Sequence, residues 1–246
     1  MTNSLEALKE KLLQLRLKAM AQNLEEVLRQ AGQKNLDPPS TLGLLIDLEL
    51  ERRWQEAISL RWRQSGVAEK ITIDQFDFDH HKSRRDQKTR ILSLISLEFI
   101  REHKDLIIIG NPGTGKTFLA KAVAFAACNR NTRVLFTTAI DMVNQLIAAE
   151  ANRSLLKKLQ FYQSPDLLVC DELGYLSLGS QGSHLFFQVI SHRHQQKSTL
   201  LTTNLPFADW GKVFDSTTVA TAIADRLVHN SEAFILGGQS YRRKHK

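Results

Sequence analysis

Cysteine, proline and long apolar runs are all scarce in this chain of 246 residues. Its 2 cysteines, Cys128 and Cys170, lie in apolar segments without the Cys/His spacing of a metal site, so we expect core residues rather than a disulfide. No apolar stretch reaches the roughly 20 residues of a membrane span, and the N-terminus lacks the apolar core of a signal peptide. We therefore expect a cytoplasmic protein that makes no contact with a membrane.

Acidic residues are outnumbered by basic ones, 26 to 33, which gives a net charge of +7. This excess favours an anionic partner such as nucleic acid. Residues 82–90 hold a dense basic cluster, in which Asp86 is the one acidic residue. We expect this cluster either to contact nucleic-acid phosphates or to form a solvated helix face. Its basic residues are Lys82, Arg84, Arg85, Lys88 and Arg90.

Apolar residues recur at three- and four-residue steps through much of residues 1–66, which predicts a small helical domain. Pro38 and Pro39 interrupt this pattern, and a second helix is predicted from Thr41 to about Gln64. We interpret residues 67–82 as a connector and residues 83–246 as the main domain.

Apolar strand-like segments alternate with helical segments from Leu106 onward. The predicted strands are Leu106–Ile109, Arg133–Thr137, Leu167–Asp171, Ser198–Thr203 and Ala233–Leu236. Strands that are apolar throughout and separated by helices predict an α/β fold with a parallel sheet covered on both faces. A ligand site is then expected at the carboxyl ends of the strands.

The segment that follows the first predicted strand matches the phosphate-binding pattern G-x-x-x-x-G-K-T. Its glycines allow backbone amides to converge on one point, and the following helix adds partial positive charge there. Lys116 would reach the β- and γ-phosphates of ATP, and Thr117 would hold Mg²⁺. The competing interpretation is a glycine turn that fits by chance. The predicted nucleotide contacts are Gly110, Asn111, Pro112, Gly113, Thr114, Gly115, Lys116, Thr117 and Phe118.

Two carboxylates end the third predicted strand. Asp171 is placed to bind Mg²⁺ through water, and Glu172 could act as a general base on a water that attacks the γ-phosphate. A plain strand end is the alternative, because Leu173–Gly174–Tyr175 resembles a turn.

Three further polar residues are candidates for catalysis. Asn204 ends the next strand and could hold the attacking water or the γ-phosphate, or it could begin a loop before Pro206. Arg226 and Arg242 could stabilise charge on the transferred phosphoryl group, in their own subunit or a neighbouring one. Either arginine could instead be an ordinary surface residue.

Several segments together resemble the IstB-type ATPases, helper proteins encoded beside the transposase in one class of bacterial insertion sequences. They are GNPGTGKTFLAKAVA, LLVCDELGYL, LLTTNLPFADW, ADRLVH and GGQSYRRK, with LKEKLLQLRLKAMAQNLEEVL and LLIDLELERRW nearer the N-terminus. These ATPases are kin to the DnaC-type helicase loaders and the DnaA initiators.

The resemblance implies an AAA+ P-loop ATPase domain preceded by a small all-α domain. Such proteins use ATP and Mg²⁺ and assemble into rings or spirals on duplex DNA without base-specific contacts. The resemblance makes Glu172 the catalytic glutamate, Asn204 the first sensor, Arg226 the arginine finger acting in trans and Arg242 the second sensor. It also places Phe76 and Phe78 near the adenine. The N-terminal helices would dock a transposase or a neighbouring subunit.

The expected function is therefore support of transposition by a partner transposase, through target selection or regulation. A replicative helicase loader would share the same ATPase core and would use residues 1–66 to hold a helicase. A small-molecule P-loop kinase and a nucleotide-gated scaffold with negligible turnover are more distant alternatives. Glu172 beside Asp171 argues for water as the acceptor, and Arg226 argues against a scaffold.

Overall fold

The computed structural model describes residues 2–241. Contacts divide the chain into two compact units, one that ends at Leu60 and one that begins at Arg61. Within the described residues, no helix combines the length and the apolar character needed to cross a bilayer.

The first unit is helical and contains α1 (Thr2–Gln14), α2 (Lys18–Lys34) and most of α3 (Pro38–Ser65). Its core is formed by Leu12, Met20, Ala21, Leu24, Val27 and Leu45. The sequence pattern does not reveal the break between α1 and α2. There Arg16 adopts a left-handed φ of 59°, and the amide of Leu17 bonds back to the carbonyl of Leu12 at 2.8 Å.

Helix α3 begins at Pro38, which is earlier than the predicted start at Thr41. Proline is tolerated in the first turn of a helix, where its missing N–H has no intrahelical partner in any case. The carboxylate of Asp37 caps this turn by accepting a hydrogen bond from the amide of Ser40 at 3.2 Å. The last residues of α3, from Arg61, belong to the second unit, and the domain boundary at residue 66 stays a prediction.

The second unit is built on a five-stranded sheet. Its strands are β1 (Asp105–Gly110), β2 (Val134–Thr138), β3 (Leu167–Leu173), β4 (Ser198–Thr203) and β5 (Ser231–Leu236). Every pair is parallel, in the order β2–β3–β4–β1–β5. The predicted α/β class with a parallel sheet is confirmed.

Helices cover both faces of this sheet. They are α4 (Lys82–Asp86), α5 (Lys88–Ser93), α6 (Glu98–Arg101), α7 (Lys116–Asn129), α8 (Ala139–Ala151), α9 (Leu155–Gln163), α10 (Gly179–Arg193) and α11 (Thr217–His229). Alternating residues of β1 explain the two layers. Leu106 and Ile108 pack with α7, whereas Ile107 packs with α8, α10 and α11. Cys128 and Cys170 are free and buried in these cores.

The predicted connector packs against the core of the second unit. It contains two short 3-10 turns, Ile73–Gln75 and Phe78–His80, and buries Val67, Ile71 and Phe76. It therefore forms part of the wall beside β1 and α7, where the ligand site is expected.

Candidate nucleotide-binding site

A cleft of about 380 Å³ lies between the loop that follows β1, the connector and the end of β3. Its lining includes the predicted site residues Phe76, Gly113, Gly115, Lys116, Thr117, Phe118 and Glu172. The parallel strands explain this convergence, because their carboxyl ends meet at the same edge of the sheet.

The loop between β1 and α7 forms a tight turn. Gly113 and Gly115 adopt φ values of +81° and +91°, a region that favours glycine. The Nζ of Lys116 donates to the carbonyls of Gly110 and Asn111, at 2.8 and 3.1 Å. Asn111 and Pro112 are exposed, whereas Thr114 is fully buried and anchors the loop from within. A backbone curled in this way, at the start of a helix, fits a phosphate group.

The acidic pair lies beside this loop. Asp171 is 3% exposed and accepts hydrogen bonds from the hydroxyl of Thr117, at 3.2 Å, and from that of Thr202. The Thr202 hydroxyl also accepts a hydrogen bond from the amide of Glu172, at 3.0 Å. Sequence reasoning missed Thr202. The sequence feature that could have identified it is a threonine near the end of the strand that follows the acidic pair.

The backbone turns sharply at Glu172, so its side chain is exposed in the cleft while Asp171 stays buried. Glu172 adopts a φ of +63°, and the register between β3 and β4 shifts between Cys170 and Leu173. Two adjacent carboxylates therefore have different environments, as a metal ligand and a general base would require.

The residues at this edge fit Mg²⁺ and a nucleotide. The Thr117 hydroxyl and the Asp171 carboxylate are hard oxygen donors that lie within hydrogen-bond distance of each other. Asn204 contributes a buried Oδ1 that accepts no hydrogen bond from any residue in 2–241, and Gly174 approaches it closely. An orphan acceptor of this kind suits a bound water. Asn204 does not itself line the cleft.

Of the two candidate arginines, one lies within the described residues. Arg226 lies on α11, donates to the carbonyl of Ala222 at 2.9 Å, and stacks its guanidinium 4.7 Å from the centre of the Phe187 ring. It does not line the cleft, and it forms no ion pair within residues 2–241. Arg242 lies outside the described residues.

The aromatic residues of the connector take different positions. Phe76 is buried, and its ring centre lies 5.8 Å from that of Phe118 and 5.1 Å from that of Phe78. Phe76 and Phe118 line the cleft, but Phe78 packs behind them with Lys88 above its ring.

The basic residues of segment 82–90 are exposed except at one position. The prediction that Arg84 contacts nucleic acid is wrong, because Arg84 is 2% exposed and its guanidinium bonds to backbone carbonyls inside the protein. The other members are exposed: Lys82, Arg85, Lys88 and Arg90.

The chain is similar to ATP-binding proteins of bacterial insertion sequences. It is 35% identical to the Insertion sequence IS232 putative ATP-binding protein of Bacillus thuringiensis subsp. berliner, over 99% of this chain and 97% of that protein. It is also 35% identical to the corresponding IS5376 protein of Geobacillus stearothermophilus, over 94% of this chain and 92% of that one.

Solved structures with the same fold include a DnaC helicase loader, with a TM-score of 0.59 and 22% identity over 72% of this chain and 98% of that one. AMPPCP-bound DnaA from Aquifex aeolicus also has a TM-score of 0.59, at 20% identity over 73% of this chain and 54% of that one. The fold is thus the AAA+ form of the P-loop α/β sheet that the resemblance predicted. The model of the IstB-like ATP binding protein family matches residues 10–246, and the chain belongs to that family.

Proposed function

We propose that this protein is a Mg²⁺-dependent ATPase that assembles on duplex DNA and assists transposition by a partner transposase. The observation that carries the proposal is the cluster of Thr117, Asp171, Thr202 and Glu172 around one edge of the phosphate-binding loop. In this cluster the exposed carboxylate of Glu172 lies next to Thr117 and Asp171, the pair that would hold Mg²⁺. Nucleotide binding alone would not require that carboxylate.

Each residue at this edge has a chemical task in the proposal. Thr117 and Asp171 would hold Mg²⁺, which neutralises charge on phosphate oxygens when it is bound. Lys116 binds the β- and γ-phosphates once its Nζ leaves the loop carbonyls. Glu172 takes a proton from water, and the Oδ1 of Asn204 orients that water.

The position of Arg226 supports an active site completed by a second subunit. Its guanidinium lies outside the cleft of its own chain and is exposed in part. An arginine supplied in trans would stabilise charge that develops on the transferred phosphoryl group. Turnover would then require a homo-oligomer, such as a ring or a spiral.

The proposed partners rest on charge and on relatives. The net charge of +7 favours DNA, and the names of relatives refer to insertion sequences. One solved structure of the same fold is that of DnaA bound to AMPPCP and single-stranded DNA. We infer that the protein acts in the bacterial cytoplasm, where its transposase would also be made.

ATP hydrolysis, measured against protein concentration with and without random-sequence duplex DNA, tests this function. We expect the rate per subunit to rise steeply with concentration and further with DNA, because neighbouring subunits complete each site. The Lys116→Ala variant serves as the inactive control. A rate per subunit that is independent of both concentration and DNA would contradict the proposal and would favour a solitary P-loop enzyme such as a kinase.

A helicase loader is the second candidate, because the DnaC structure shares this fold over nearly its whole length. The insertion-sequence relatives favour the transposase instead, at higher identity. Capture of the purified transposase, but not of the replicative helicase, by the immobilised protein would distinguish these partners.

A further inference from the structure

Arg84 is a buried charge beside the phosphate-binding loop. It is 2% exposed, and its guanidinium forms no ion pair with a carboxylate among residues 2–241. Its Nε has no hydrogen-bond partner there. Burial lowers the pKa of Arg84, and an electrostatic interaction with Asp77 opposes that effect. Burying a charge without a counter-ion is costly, so a functional reason is expected.

The Arg84 guanidinium joins the connector to the loop. One terminal nitrogen donates to the carbonyl of Asp77 at 2.7 Å, and the other donates to the carbonyl of Thr114 at 2.8 Å. Thr114 lies between the two glycines of the loop and is fully buried. The planar fork of arginine can hold two carbonyls at once, whereas the single ammonium of lysine is a point charge on a flexible stem.

Two aromatic rings hold this guanidinium in place. Its central carbon lies 4.6 Å from the centre of the Phe76 ring and 5.7 Å from that of the Tyr241 ring. The amide of Tyr241 donates to the carbonyl of Gly113 at 2.9 Å. The loop is thus bonded to Arg84 through Thr114 and to the backbone of Tyr241 through Gly113.

Gly115 shows how closely Arg84 packs beneath the loop. A Cβ at Gly115 would lie 3.0 Å from a terminal nitrogen of Arg84 and 3.0 Å from the Phe76 ring. The guanidinium and the ring therefore pack directly against the loop, and both also line the cleft.

We propose that Arg84 is a positioning residue for the nucleotide: it fixes the phosphate-binding loop in its binding shape before the nucleotide arrives. Holding the Thr114 carbonyl fixes the orientation of the neighbouring peptide groups of the loop. The positive charge of Arg84 at the wall of the cleft also attracts polyphosphate. The inference deepens the proposed function and rests on it for the identity of the ligand.

Substitution of Arg84 in the full chain tests this role. Arg84→Lys keeps the charge but not the fork, and Arg84→Met removes both. Arg101→Met is the control, because Arg101 is an exposed arginine of α6 outside the cleft. The readouts are hydrogen–deuterium exchange of residues 110–117 without nucleotide, the affinity for ATP, and the unfolding midpoint.

We expect faster exchange in residues 110–117 in both Arg84 variants, with β2 and β3 unchanged. ATP affinity should fall several-fold in Arg84→Lys and at least tenfold in Arg84→Met. Loop exchange equal to wild type in Arg84→Lys, or ATP affinity within twofold of wild type in Arg84→Met, would overturn the inference. If Arg84→Met does not fold, the loop exchange and the ATP affinity of Arg84→Lys test the inference. A wild-type protein that binds no ATP would refute the proposed function, while the exchange data would still test Arg84.

Discussion

Glu172 combines an unfavourable backbone conformation with an exposed carboxylate. A left-handed φ of +63° in a residue other than glycine costs about 1–3 kcal/mol. The register shift between β3 and β4 occurs at this turn. Here the turn directs the carboxylate into the cleft.

Glu172→Gln should leave ATP binding within about twofold and lower turnover by about 100-fold or more, because the amide cannot accept a proton from water. Equilibrium binding of ATP and steady-state hydrolysis, both measured on the same preparation, check this. Glu98→Gln, at an exposed glutamate of α6, should change neither value. Loss of ATP binding in Glu172→Gln would contradict the role given to Glu172.

Thr202→Val should reduce hydrolysis by about 10- to 100-fold, as is typical when a partner of a metal ligand is removed. Valine cannot donate to Asp171 and leaves the amide of Glu172 without an acceptor. Thr202→Ser keeps the hydroxyl and should restore most of the rate. The Mg²⁺ dependence of turnover is the measurement, and equal curves for the valine and serine variants would refute this account.

Local patterns are enough to predict the glycine loop, Lys116 and the acidic pair. Arg84 and Thr202 could not be identified in the same way. Arg84 occurs in a run of basic residues that is typical of a surface, and its burial depends on the fold of the connector over α7. Thr202 acquires its role from the pairing of β3 with β4, which joins residues far apart in the sequence.

Glu49 ties two helices of the first unit together. Glu49 is 4% exposed, and its carboxylate accepts hydrogen bonds from the amides of Ala19, at 2.8 Å, and Met20, at 3.5 Å, at the start of α2. It also pairs with Arg52 and Arg53 of its own helix. These bonds, chiefly that from Arg52, lower the pKa of Glu49 to about 2 despite burial.

Glu49→Gln should lower the unfolding midpoint by several degrees at pH 7. Because the folded-state pKa of Glu49 lies below the unfolded value, its contribution is present above about pH 4.5 and is lost as the pH falls toward 2. The variant and the wild type should therefore converge in acid. Circular dichroism melts across this pH range provide the measurement, with Glu51→Gln at an exposed neighbour as the control. A pH-independent difference would contradict the prediction.

Asp105 has the opposite pH dependence. Burial raises its pKa to about 7, although its carboxylate accepts a hydrogen bond from the amide of Thr199 at 2.6 Å. Between about pH 4 and 7 the unfolded chain loses this proton and the folded chain keeps it, so stability falls as the pH rises. The bond links the start of β1 to β4.

Asp105→Asn should therefore stabilise the protein more at pH 8 than at pH 5, because the amide stays neutral and can still accept from Thr199. Unfolding midpoints of variant and wild type at these two pH values test the prediction. Asp74→Asn, at an exposed aspartate, should show no such difference. An equal effect of Asp105→Asn at both pH values would count against it.

Strands were easier to predict than helix ends. Apolar runs identify the strands, and the central strands β1, β3 and β4 are largely buried on both faces, whereas the edge strand β5 leaves Ile235 exposed. The break at Arg16 has no proline or glycine to mark it. The two prolines at the start of α3 suggest a loop, unless Asp37 is recognised as the cap of a helix that begins there.

At the scale of the whole molecule, net charge indicates a class of partner but not the surface that binds it. Removing Arg84 from the basic cluster leaves a smaller exposed set in residues 82–90. Which basic residues can contact DNA depends on which side chains are exposed, and the amino-acid composition does not show that.

Arg85→Glu combined with Lys88→Glu should weaken duplex DNA binding equally for unrelated sequences. The slope of log affinity against log salt should become shallower by about 0.9 for each DNA phosphate that the variant no longer neutralises. Binding isotherms at several salt concentrations measure this slope. Arg101→Glu combined with Arg153→Glu makes the same change in net charge at exposed sites elsewhere. If both double variants give the same slope, the DNA surface is not this cluster.

The burial of both cysteines has a practical consequence for fluorescence experiments. Burial raises the pKa of the Cys128 and Cys170 thiols, so at neutral pH they are protonated and shielded from maleimide reagents. A cysteine introduced at an exposed position such as Arg153 would then accept a dye selectively in the otherwise native sequence. Energy transfer between differently labelled subunits would then show in real time whether the proposed ring or spiral forms.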